Sequence, residues 1–264
     1  MSTPSVILLT RDRLEHRYVA RALAQELPGL KLIVESGSRT STRKSIQRAW
    51  KHGFGTFMDK IGRTIYLRML RDPAARKEAL IRHLGDPAES QSLFGQATQV
   101  LNVNDPEAIQ AIHDCQPQLV LVYGTGLVKP KLLKEAGCPV LNLHTGLSPY
   151  YRGVACYLWP LAEDRLDRVG YTVHDCVAEL DAGGILSNGV ITPQPGDGVH
   201  DVFARQVKAG ASDYARCAAA ELTTPLERQP QDLDLGREYR GVTLGYSAER
   251  AARRRLARLA SKGQ

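Results

Sequence analysis

Apolar positions along this chain switch between two periods. Val6 to Leu9 is a continuous apolar run. Leu14, Val19, Leu23 and Leu27 then recur at helical spacing until Pro28-Gly29 interrupts them, so residues 12–27 read as an amphipathic helix. Leu30 to Val34 is a second continuous run. Strand, helix and strand in that order make the opening β–α–β unit of a Rossmann-like half-domain. The alternation returns downstream. Gln99 to Val103 reads as a strand, Asn104-Asp105-Pro106 as a cap, and the helix after it runs to about Cys115. Gln118 to Tyr123 is an unbroken apolar strand of the kind buried in a parallel sheet. A short helix over 130–136, a strand from Val140 to Leu143, paired strands over 169–176 and 185–191, and a long helix from Val199 to Leu222 complete the series. The predicted fold is α/β: a mostly parallel, Rossmann-like sheet flanked by helices.

Two regions fall outside that alternation. Residues 36–95 read as basic helices over 38–51 and 57–84, broken near Gly53-Phe54-Gly55 and at Asp72-Pro73. Ile46, Trp50, Phe54 and Phe57 are expected to pack this insertion on the main sheet. Past Pro225 the pattern is loop-like until a final basic helix over 248–260, to which Leu256 and Leu259 give a thin apolar face. The predicted organisation is a catalytic domain over 1–224, carrying the helical insertion 36–95, and a basic tail over 225–264. After Tyr150 to Gly153 a further helix carrying Tyr157, Leu158, Trp159 and Leu161 is expected, with Tyr157 and Trp159 in the core.

Charge sharpens the picture of those regions. The formal net charge is +7, but twelve Lys and Arg face only three Asp and Glu between Arg39 and Arg82. Six face one between Glu249 and Gln264. Such patches are either solvated helix faces or sites for an anionic partner. No run of about 18 apolar residues exists, so no membrane span is expected. The start lacks a basic segment ahead of its apolar run, which is not the pattern of a signal peptide. The five cysteines are scattered, with no Cys-x-x-Cys. Reduced core thiols, a cytoplasmic location and no metal site are the expectation.

Candidate chemistry lies in Pro139-Val-Leu-Asn-Leu-His-Thr-Gly-Leu-Ser-Pro-Tyr-Tyr-Arg-Gly153. Asn142 and His144 are two apart on a strand, so they share a face. They emerge where the strand gives way to a loop, which is where open α/β sheets bind ligands. Downstream, Gly170-Tyr-Thr-Val-His174 alternates as a strand and Leu180-Asp-Ala-Gly-Gly184 follows as a turn. A carboxylate on a glycine-rich turn can approach a site closely. Asn142, His144 and Asp181 supply an amide donor, an imidazole and a carboxylate to orient it. Acyl transfer to an amine can use that set: the amide holds the oxyanion, the imidazole moves the proton, and the carboxylate sets its tautomer and pKa. Arg152 either places an acceptor or braces its turn. The first turn, Thr10-Arg-Asp-Arg13, has no glycine, so a dinucleotide fingerprint is absent. Arg11 and Arg13 are either anion ligands at a helix start or solvent-facing charge.

These blocks, in this order, resemble the folate-dependent formyltransferases: Asn-Leu-His at 142–144, Leu-Ser-Pro-Tyr-Tyr-Arg-Gly at 147–153, Gly-Tyr-Thr-Val-His at 170–174, and Leu-Asp-Ala-Gly-Gly-Ile-Leu at 180–186. The family includes glycinamide ribonucleotide, methionyl-tRNA and amino-sugar N-formyltransferases. Its usual Ser-Leu-Leu-Pro is Gly146-Leu-Ser-Pro149 here. The resemblance implies a formyltransferase fold with Asn142, His144 and Asp181 catalytic, and 10-formyltetrahydrofolate as formyl donor. It implies donor contacts from Tyr123, Gly124, Leu127 and Val128, and from Ala178, Glu179 and Leu180. It gives Thr145, Arg152 and His174 as acceptor-side residues, although a strand histidine satisfied within the core accounts equally well for His174.

The acceptor is a small molecule with a primary amine, anionic in several of the alternatives. The missing glycine-containing phosphate loop argues against glycinamide ribonucleotide. The stretch after Pro225 is shorter than the C-terminal barrel of the methionyl-tRNA branch. A nucleotide-linked amino sugar is therefore expected, with an amino acid, a hydroxylamine-type or tRNA-linked acceptor, or hydrolysis of the donor, as alternatives. A homodimer is compatible with all of these. From another class, the basic helices fit an RNA-binding protein on an inactive scaffold, but no RNA-reading motif appears.

Overall fold

A computed structural model describes residues 5–37 and 42–262. Strand β1 (Val6–Thr10), helix α1 (Leu14–Glu26) and strand β2 (Lys31–Glu35) form the expected opening unit. The insertion follows as α2 (Thr42–Lys51), α3 (Phe54–Met69), α4 (Asp72–Leu84) and the short α5 (Gln91–Gly95). Next come β3 (Thr98–Val100), α6 (Pro106–Cys115), β4 (Leu119–Val122), α7 (Pro130–Ala136) and β5 (Val140–His144). The chain ends with β6 (Tyr151–Gly153), α8 (Trp159–Ala162), β7 (Gly170–Asp175), β8 (Ile185–Val190), α9 (Val199–Thr223), β9 (Arg237–Tyr239) and α10 (Tyr246–Lys262). None of the described helices is long and apolar enough to cross a membrane.

Seven strands form one sheet in the order β3-β2-β1-β4-β5-β7-β8. The first five run parallel, and β7 and β8 are antiparallel additions. Alternate residues of each central strand enter opposite layers, as the period of two requires. Val6 and Leu8 of β1, Leu119 and Leu121 of β4, and Leu141 and Leu143 of β5 pack in the layer of α1 and α9. Ile7, Leu9, Val120, Val122 and Val140 pack in the layer of α6 and α7. Asn142 and His144 continue the second set past the end of that core, so the alternation itself turns both toward the same side.

Tyr214 of α9 enters the sheet where β4 and β5 part. Its hydroxyl accepts from the Val122 amide at 2.9 Å and donates to the Leu141 carbonyl at 2.7 Å. The phenol is fully buried. Tyr214→Phe leaves both backbone groups without a partner and should lower stability by about 1–3 kcal/mol in urea unfolding. An unchanged midpoint would show that water reaches the strands there.

Two expectations are corrected. Trp50, Phe54 and Phe57 do not pack on the main sheet. They pack on one another, with Trp50 to Phe57 ring centroids 4.8 Å apart, and Trp50 and Phe54 remain largely exposed. The Ile46 side chain lies outside the described residues. The break expected at Asp72-Pro73 is present: Arg71 takes a left-handed conformation at φ 50° just past the end of α3, and Pro73 then starts α4. In addition, the expected helix near Tyr157 is only the single turn α8. The stretch beyond Pro225 also returns to the body. Strand β9 pairs with β6 in a separate two-stranded sheet, and Tyr239, Leu244, Ala252 and Leu256 are buried with Tyr151, Leu158 and Leu161.

Candidate active site

The antiparallel register of β5 with β7 sets Asn142 opposite His174 and His144 opposite Thr172. The turn after β7 brings back Asp181 in the left-handed region, at φ 50°. Aspartate tolerates that conformation because its short polar chain can bond locally. Gly183 cannot be enlarged, since a Cβ there would lie 2.0 Å from the Asp175 carbonyl oxygen. Gln231 fastens the turn, donating to the carbonyls of Asp181 at 3.1 Å and Gly183 at 2.6 Å.

Four polar side chains therefore meet. Asp181 Oδ2 accepts from the Gly153 amide at 2.8 Å and lies 3.4 Å from His144 Nδ1. Asp181 Oδ1 lies 3.4 Å from Asn142 Nδ2 and 3.5 Å from His174 Nε2. His174 Nδ1 is 2.8 Å from the Asp175 carbonyl, which places its proton on that nitrogen. Its Nε2 is then an acceptor for Asn142 Nδ2 at 3.2 Å. That contact fixes the Asn142 amide with its nitrogen inward. His144 Nε2 is 3.0 Å from the Tyr151 carbonyl and carries its proton there. The lone pair of Nδ1 accordingly faces Asp181.

Burial and neighbours set the charges. Burial pushes the Asp181 pKa up, but the imidazoles of His144 and His174 beside it and the Gly153 amide together outweigh it and hold the carboxyl at about 2. Burial lowers the His144 pKa. Asp181 opposes that shift and His174 adds to it, so the ring stays neutral more readily than a free imidazole. Cys156 behind the site is held well up by burial and then by Asp181, which keeps it a thiol. The two imidazoles and the carboxylate do not make a metal set. Among the described residues no group of three His, Cys, Asp or Glu could hold an ion.

The other sequence candidates are distributed unevenly. Tyr123 is turned inward. Its ring is buried edge-on to His16, its carbonyl accepts from Thr10 Oγ1 at 3.0 Å, and its amide donates to Leu9 at 3.0 Å. Val128 is buried in the layer of α6 and α7. Gly124 and Leu127 are exposed on the loop after β4, as are Ala178 and Glu179 before Asp181, while Leu180 and Thr145 are half-buried. Asn104 holds the first loop instead of capping α6: it donates to the Leu127 carbonyl at 2.9 Å and accepts from the Lys129 amide at 2.7 Å. Arg11 is not available to an anion. Its Nε donates to Glu35 Oε2 at 2.7 Å, and the same oxygen accepts from the Gly126 amide at 3.0 Å. Arg152 has a buried Nε without a partner among the described residues, and a long 3.5 Å contact from its terminal nitrogen to Leu233.

Three contributors escaped sequence reasoning: the Tyr151 carbonyl, the Gly153 amide and Gln231. The first two act through the backbone, which side-chain identity does not report. Gln231 comes from a loop with no periodic signal.

A family model described as formyl transferase matches residues 75–217. That span exceeds half the chain and contains Asn142, His144, His174 and Asp181. The chain belongs to the formyl transferase family. Among relatives of this family, a methionyl-tRNA formyltransferase of Geobacter sulfurreducens is 30% identical over 137 residues, covering 51% of this chain and 42% of the relative. Thus the chain spans less than half the length of that curated relative. A sugar N-formyltransferase structure from Shewanella superposes with a TM-score of 0.59 at 13% identity, over 97% of this chain and 88% of that one. The N-formyltransferase of Helicobacter canadensis, in complex with folinic acid and dTDP-3-aminofucose, superposes at 0.60 with 11% identity, over 96% and 80%. At these identities the superpositions establish a formyltransferase fold.

Proposed function

We propose that this chain transfers a formyl group from 10-formyltetrahydrofolate to the primary amine of a small acceptor, and that the acceptor is a nucleotide-linked amino sugar. The observation that carries the reading is the meeting of Asn142, His144 and Asp181 at the open end of β5. The folate donor supplies an activated formyl carbon. The exposed Leu127, on the loop after β4, and Ala178, on the loop that leads from β7 to Asp181, fit an apolar ring system.

The acceptor nitrogen forms a bond to the formyl carbon while the bond from that carbon to the donor nitrogen breaks. The amine proton passes to the departing nitrogen. Asn142 donates to the oxygen on which charge develops; its 3.4 Å contact with Asp181 is long and is exchanged for that stronger bond. His144 carries the amine proton between the two nitrogens: it takes it from the amine on Nδ1, where Asp181 stabilises the resulting imidazolium, and then gives it to the departing nitrogen. His174 holds the Asn142 amide in orientation, and Arg152 and Thr145 are assigned to the acceptor side on the family resemblance.

The acceptor assignment is supported by the folds of sugar N-formyltransferases, one bound to an amino-sugar nucleotide, which extend over nearly all of this chain. The identity to methionyl-tRNA formyltransferases favours a second reading, an aminoacyl-tRNA acceptor. Incubation with formyltetrahydrofolate and a panel of both acceptor classes, followed by the mass of each acceptor, decides. Release of tetrahydrofolate with every acceptor unmodified would replace transfer with hydrolysis.

The pH profile gives a separate check. His144 must be neutral to accept a proton, and burial holds its pKa below the usual imidazole value. The acid limb of kcat/KM should therefore fall below the ordinary histidine range of about 6.5. Asp181 raises the His144 pKa, so Asp181→Asn should move the limb further toward acid in the residual activity. A limb above the ordinary range would mean that another group titrates.

A further inference from the structure

Helix α3 lies with its polar side inward. Asp59 accepts from the Ser247 amide at 3.0 Å and from its hydroxyl at 2.7 Å. Lys60 donates to the Leu244 carbonyl at 3.0 Å. Arg63 Nε and a terminal nitrogen donate to Glu249 at 3.1 and 3.0 Å. These bonds pin α3 to α10 and the loop before it. The opposite face carries Phe54, Met58, Ile61, Ile65 and Met69, spaced by four, three, four and four residues. Phe54 is 67% exposed, Ile65 56% and Met69 78%. In a surface helix of a lone domain such a stripe faces the core. Here it faces outward for the length of the helix, about 24 Å. At its amino end Trp50 of α2, itself 58% exposed, joins the stripe through the Phe54 and Phe57 rings.

The charges around the stripe select what covers it. Between Thr42 and Arg71 the sequence has eight Lys and Arg and a single acid, Asp59, which is held by Ser247. Arg48, Lys51, Arg68 and Arg71 are exposed. Two-fold pairing with a second copy would set these cations against their own kind. An anionic bilayer satisfies both features: acyl chains receive the apolar ridge, with tryptophan at the headgroup level, and acidic headgroups meet the cations. We propose that the α2–α3 hairpin docks this protein on an anionic lipid surface.

The test uses the full chain with vesicles of phosphatidylcholine alone or mixed with phosphatidylglycerol. The protein should float with the mixed vesicles and stay behind with the neutral ones. The other tryptophan, Trp159, is buried, so a blue shift of emission and quenching by brominated lipid report on Trp50 in the unaltered protein. Phe54→Asp with Ile65→Asp should lower binding by at least roughly tenfold, since each removes a large apolar contact. Arg68→Gln should lower it roughly fivefold. Absence of flotation and of quenching in the unaltered chain overturns the proposal. So does self-association in sedimentation that the aspartate pair abolishes, which would assign the face to a second copy.

Discussion

Asp181→Asn should lower formyl transfer by roughly 10³–10⁴-fold, the scale seen when the carboxylate that orients a catalytic histidine is neutralised. The substitution keeps the shape of the turn. Asparagine tolerates the left-handed backbone at this position, and its carbonyl can still accept from the Gly153 amide. What is lost is the negative charge facing His144 Nδ1, which stabilises the protonated ring. Binding of the folate donor and the melting temperature should change little. Turnover within tenfold of the parent enzyme would remove Asp181 from the chemistry, whatever the acceptor.

Asn142→Ala should cost roughly 10²–10³-fold in kcat, the usual effect of deleting one donor to a developing oxyanion. Its effect on the KM for the acceptor should be small, because the amide serves charge that grows as the amine attacks. The alternative is that Asn142 only buttresses His174, to which it donates at 3.2 Å. His174→Gln separates the two. If Asn142 acts on substrate, His174→Gln disturbs the reaction less than Asn142→Ala. Equal losses would make Asn142 a positioning residue.

The strand end that bears Asn142 and His144 was legible because two independent signals agreed there. The alternation of β5 set their common face, and the glycine-rich turn marked where a carboxylate could come close. The central sheet was legible for the same reason: Leu119 to Val122 and Ile7 to Leu9 are too apolar to lie elsewhere. The small β6–β9 sheet was not. Each of its strands has three residues, too few to show a period, and its partners lie far apart in the sequence. Tyr123 misled because its position after β4 suggested the ligand loop, whereas strand alternation carries its ring into the α1 and α9 layer. Trp50 and Phe54 misled in the opposite way. Large aromatic residues suggest core, and only the inward bonds of Asp59, Lys60 and Arg63 reveal which side of the helix the domain has claimed.

Each close partner described for the reacting group comes from the stretch between Val140 and Gln231: the Tyr151 carbonyl, the Gly153 amide, the Asp175 carbonyl and the Gln231 side chain. The helical hairpin supplies none of those contacts. If that hairpin docks on lipid as proposed, exchanging it for another of equal length would redirect where the molecule resides while leaving its catalytic constellation in tune, so address and reactivity can diverge independently within one polypeptide.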